Sequence, residues 1–121
     1  MYKISKPVKM VEKIELEDGV VLDVTVNVGK IADNFNRIYN AVLTQQKQKS
    51  DKLGSSVIEM LELVLGDSNT KTLLEYYDGD WLELMLIIVP FIELKFLPLV
   101  KEHQKKKRED AKMIYKASKN A

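Results

Sequence analysis

The segment Trp81–Val100, WLELMLIIVPFIELKFLPLV, is apolar nearly all the way round a helix. In a chain of this size such a helix must be wrapped by something. The wrapper is either the rest of the chain or a partner protein, and that choice governs both fold and function. Pro90 stands in its middle and Pro98 near its end. The longest uninterrupted apolar run, Leu84–Ile92, is far shorter than the roughly 20 residues that span a bilayer. No membrane crossing is expected.

With 121 residues, the chain is expected to form a single domain, 1–121. At this length folding buries roughly two-thirds of the unfolded surface, so a core forms without staples. Cysteine is absent, which removes disulfides, thiolate zinc sites and cysteine nucleophiles, and fits a reducing compartment. The opening MYKISKPVKMVEKIELE alternates charged and apolar residues and does not read as a signal peptide. Net charge is +1, unevenly spread: residues 1–66 balance, 67–97 carry two positive and six negative charges, and 98–121 carry eight positive and three negative.

Residues 8–28 read as a β-hairpin. Val8, Met10, Ile14 and Leu16 alternate with charged residues, as do Val20, Leu22, Val24, Val26 and Val28 with polar ones. A two-residue Asp18-Gly19 loop would put the two apolar sets on opposite faces. A three-residue loop, Glu17-Asp18-Gly19, pairs Leu16 with Val20 and Ile14 with Leu22 and brings them to one face, so it is the expected turn. A two-stranded hairpin is not stable alone and must lie on helices.

Residues 30–65 carry a helical stripe, Ile31, Phe35, Ile38, Tyr39 and Val42, then Leu53, Val57, Met60, Leu61, Val64 and Leu65. A helix throughout is expected, with Ser50–Ser56 as the place for a break and Gly66 as its end. A short helix follows over 69–77, with Asp67 and Ser68 as candidate caps. Asp80 caps a helix over 80–97, with Glu83 placed for a capping box. Pro90 predicts a kink there, and Pro98 predicts a restart into a basic helix over 98–117. The fold class is α+β, mainly α: an N-terminal β-hairpin packed on a small bundle of about four helices.

Catalytic chemistry is nearly absent. His103 is the sole histidine and has no Ser or Cys nucleophile motif beside it. Asp78 and Asp80 flank Gly79 like a fragment of a calcium loop, but Val89 stands where the closing Glu belongs, so turn and cap is the stronger reading. No phosphate loop, metal-ligand spacing or cofactor motif occurs, and an enzyme is not expected. Lys105-Lys106-Lys107-Arg108 is interrupted by Glu102, Glu109 and Asp110, which favours a solvated helix face over nucleic-acid binding. Trp81, Met85, Ile88, Phe91 and Ile92 supply apolar side chains for a core or a partner. Tyr76 and Tyr77 beside Trp81 form a candidate anchor.

The order of elements resembles the tail assembly chaperones of long-tailed phages and prophages of Gram-positive bacteria. The residues that carry the resemblance are Leu65-Gly66-Asp67, the short helix Thr70–Tyr77, Asp78-Gly79-Asp80, Val89-Pro90-Phe91-Ile92 and the basic stretch Lys105–Lys116, after an N-terminal hairpin. The segment Leu84–Val89 is more continuously apolar than the usual amphipathic version.

The resemblance implies a non-enzymatic factor, without cofactor, in the host cytoplasm. Such proteins coat the helical tape-measure protein, keep it soluble, and are displaced as tail-tube protein polymerises around it. It also implies many copies and self-association. The partner-binding residues expected on this reading are Tyr76, Tyr77, Trp81, Met85, Ile88, Phe91, Ile92, Lys105, Lys106 and Arg108. Another helical virion or adaptor subunit, and a small nucleic-acid-binding regulator using the basic helix, are the competing readings.

Overall fold

The computed structural model describes residues 1–119. Two antiparallel strands, β1 (Lys9–Glu15) and β2 (Val21–Asn27), precede five helices: α1 (Val28–Gln48), α2 (Leu53–Leu65), α3 (Asp67–Tyr76), α4 (Trp81–Lys95) and α5 (Leu97–Lys119). The class is α+β, mainly α.

The hairpin adopts the register that puts its apolar residues on one face. Ile14 pairs with Leu22 and Met10 with Val26. Leu16 N–H donates to Val20 O at 2.8 Å, and Gly19 turns the chain with φ +90°. A Val28 N–H to Val8 O bond of 3.0 Å closes the open end of the ladder. Met10, Leu16, Leu22 and Val24 are buried, whereas Val20 at the tip is exposed. Asn27 ends β2 and starts α1 at once, its side-chain oxygen accepting from Gly29 N–H.

The helix expected through 30–65 is broken between Gln48 and Leu53, at the edge of the Ser50–Ser56 stretch named as the place for a break. Lys49 takes a left-handed conformation (φ 52°) that closes α1, and Ser50 Oγ accepts from Lys52 N–H at 3.1 Å in the turn that follows. α2 folds back along α1, with Arg37 and Glu59 3.7 Å apart across the pair. Folding back buries both apolar stripes against the same core, which one straight helix could not do. Gly54 lies inside α2. A Cβ there would stand 2.8 Å from Cε2 of the Trp81 indole, so the glycine makes room for the tryptophan. Gly66 (φ +89°) ends α2 as expected and also leads into α3. Neither Asp67 nor Ser68 caps α3: Asp67 is already helical, and no side chain caps that end.

Trp81–Val100 is two helical pieces, but their joint is at Phe96 rather than at Pro90. α4 runs through Pro90 without interruption. Pro90 and Leu86 are both exposed, so the lost hydrogen bond falls on the solvent side of the helix, where it costs least. Pro98 supplies no N–H to the preceding turn, and the chain resets two residues earlier, at Phe96. Phe96 N–H completes α4 on Ile92 O, while Phe96 O receives Leu99 and Val100 N–H at 2.9 and 3.1 Å. Phe96 is fully buried and meets Phe35 of α1 edge to face, ring centroids 4.7 Å apart. The core thus runs from the hairpin's inner face through α1, α2 and α4 to Val100 of α5.

Candidate functional site

α4 is built from its first turn. Asp78 and Gly79 are successive left-handed residues (φ 53° and 80°) that reverse the chain after α3. Asp80 then accepts from Glu83 N–H at 3.1 Å, giving one half of a capping box. The other half is replaced by Asp80 N–H donating to Tyr77 O at 2.9 Å. The fixed start sets the rotation of every later side chain on the helix.

That rotation divides α4 lengthwise. Leu84, Met85, Ile88 and Ile92 are buried in the core. Leu82, Leu86, Ile87 and Leu94 are exposed by 50, 65, 54 and 71%. Leu82, Leu86, Pro90 and Leu94 follow one another at spacings of four, so they form one continuous row. Ile87 and half-buried Phe91 lie beside Leu94 on the side nearer β1. A single exposed leucine is ordinary. A contiguous apolar row is a mark of an interaction surface.

The candidate residues on α4 therefore separate. Met85, Ile88 and Ile92 are core and present nothing to a partner, and Trp81 is half-buried against Gly54. Phe91 alone borders the uncovered row. Leu82, Leu86, Ile87 and Leu94 were not among the sequence candidates. Their position was signalled by Glu83, Pro90 and Glu93, the residues least suited to a core, which share that side of the helix.

Tyr76 and Tyr77 are half-buried and meet edge to face with centroids 5.4 Å apart. Tyr76 Oη accepts from Glu17 N–H at 3.3 Å, which ties α3 to the hairpin tip. Both tyrosines line a cleft of about 430 Å³ with Ile14, Leu16 and Ile87. Burial raises the Tyr77 phenol above its ordinary value, reinforced by the nearby Glu83 carboxylate. On the opposite flank Tyr39 of α1 donates a hydrogen bond to Glu93. Burial, that bond and the glutamate charge push the Tyr39 phenol up to about 12.

The basic candidates lie on another element, α5. Lys105 and Arg108 are exposed and share a face with Lys101 and Lys112. Lys106 points elsewhere, pairing with Glu102 at 3.2 Å beside the N-terminal segment. His103 is half-buried against Gly29, where a Cβ would stand 2.8 Å from its ring. Among the described residues no group of three or more His, Cys, Asp or Glu side chains stands close enough to hold a metal ion. No helix among them is long and apolar enough to cross a membrane. Compared with protein families, curated proteins and solved structures, the chain finds no match.

Proposed function

We propose that this protein is a non-enzymatic tail assembly chaperone of a long-tailed phage or prophage, acting in the host cytoplasm. It binds the tape-measure protein and keeps it soluble until tail-tube protein replaces it. The observation that carries this reading is the uncovered apolar row of α4: Leu82, Leu86, Pro90 and Leu94, flanked by Ile87. A long helical client displays apolar stripes of its own, and a rigid apolar row is what such a stripe can lie against. The motif order of the resemblance adds support. Its two turns, at Gly66 and at Asp78-Gly79-Asp80, bracket α3 and set the start of α4.

Co-expression with a tape-measure fragment from the same phage or prophage tests the reading. A soluble complex is expected, with the fragment insoluble on its own. No complex and no gain in solubility overturns it.

A further inference from the structure

We infer that the outer face of α5 binds the phosphate backbone of a nucleic-acid duplex, without regard to base sequence. Lys101, Lys105, Arg108, Lys112 and Lys116 are all exposed and follow one another at spacings of three or four, so they form one row along the helix. The row is about 22 Å long. Among the described residues none of its five cations is held in an ion pair.

The acids that interrupt the basic run in sequence leave this row open in space. Glu102 pairs with Lys106 at 3.2 Å. Asp110 accepts from Ser5 Oγ at 3.4 Å. Glu109 alone borders the row. The far side of α5 is occupied: Val100 is buried, His103 lies against Gly29, and Lys106, Lys107 and Ile114 line a cleft with Ser5 and Val8 of the N-terminal segment. Packing on that side fixes the rotation of α5 and turns the cationic row to water.

The chemistry of the row suits a duplex better than a membrane or a protein. A duplex carries one phosphate charge per about 1.7 Å of its axis, so a rigid row this long faces roughly a dozen of them. A helix that lies on an anionic membrane needs apolar residues to enter the acyl boundary, and a protein interface needs an apolar centre. Tyr115 is the one large apolar side chain bordering the row, since Ile114 lies on the cleft side. Four of the five cations are lysines, point charges that meet phosphate without reading base edges. This contact uses neither the uncovered row of α4 nor the tape-measure reading.

Affinity for a random-sequence DNA duplex, measured against salt by fluorescence anisotropy, tests it. Contact with most of the row predicts that log affinity falls against log salt with a slope of about −4. Lys105→Gln with Lys112→Gln removes two charges from the row, and Lys106→Gln with Lys107→Gln removes two from the cleft side. Glutamine is as good a helix former as lysine, so both variants keep α5. The first should flatten the slope by about 2; the second should leave it at the wild-type value. The inference is overturned by a flat wild-type salt response, by equal losses in the two variants, or by tighter binding to a single strand of the same length. Binding to phosphatidylserine vesicles with none to the duplex also overturns it and assigns the row to an anionic membrane.

Discussion

α1 and α4 lie over the same core and finish their outer faces in opposite ways. α1 buries Val28, Ala32, Phe35, Ile38 and Val42 and turns Lys30, Asp33, Asn34, Arg37, Asn40 and Thr44 to water. α4 buries Leu84, Met85, Ile88 and Ile92 and turns Leu82, Leu86, Ile87 and Leu94 to water. Burial in this fold leaves only Leu43 of α1's large apolar residues exposed, at 37%, but completes only half of α4. The all-round apolar helix is wrapped by the rest of the chain on one side, and its other side is the surface we propose for a partner.

The inner half of α4 gives the largest expected effect. Ile88 is 4% exposed, and Ile88→Asp places an unpaired carboxylate among Leu84, Met85 and Ile92. The cost is at least about 4 kcal/mol, comparable to the whole stability of a small domain. Circular dichroism should show loss of the cooperative melt. A folded Ile88→Asp monomer would mean that the inner half is not core.

The seat of Trp81 is a smaller lever on the same helix. In Gly54→Ala the new methyl meets the indole at 2.8 Å. Overpacking of about 1–3 kcal/mol outweighs the gain of about 1 kcal/mol from removing a helix glycine. A net loss of about 1 kcal/mol is expected, read as a lower urea midpoint. A stabilised variant would show that Trp81 is not held there.

The Tyr39–Glu93 bond joins α1 to the outer flank of α4 and gives a pH-bound effect. The phenol is raised from 10.0 to about 12, chiefly by burial, so the folded state favours its protonated form. That contribution is whole below pH 10 and is lost as pH rises through about 12. Between these values the wild type should lose more melting temperature than Tyr39→Phe. Equal losses would mean that Tyr39 ionises freely at the surface.

The hairpin was readable from sequence because its side-chain period is two, so one wrong register would send Ile14 or Leu22 to water. The break between α1 and α2 was readable as a place, near Ser50–Ser56, but not as a device, because no proline marks it and the left-handed Lys49 is a residue with no intrinsic preference for that conformation. Pro90 leaves α4 continuous for a related reason. Its lost hydrogen bond is cheap where Leu86 faces solvent, and that orientation follows from the packing of Ile88 and Ile92. The same orientation decides which apolar residues of α4 remain free. On a helix apolar all round, hydrophobicity cannot choose between Ile88 and Ile87; only Glu83, Pro90 and Glu93 hint at the outward side.

The most direct measurement replaces the outer row alone. Leu86→Asp with Leu94→Asp changes two residues exposed by 65 and 71%, so stability should shift by no more than about 0.5 kcal/mol for each. Melting temperature and capture of a co-expressed tape-measure fragment are read on the same preparation. A wild-type melt with loss of the complex is expected. A wild-type melt with the complex intact contradicts the assignment of α4's outer face to a partner.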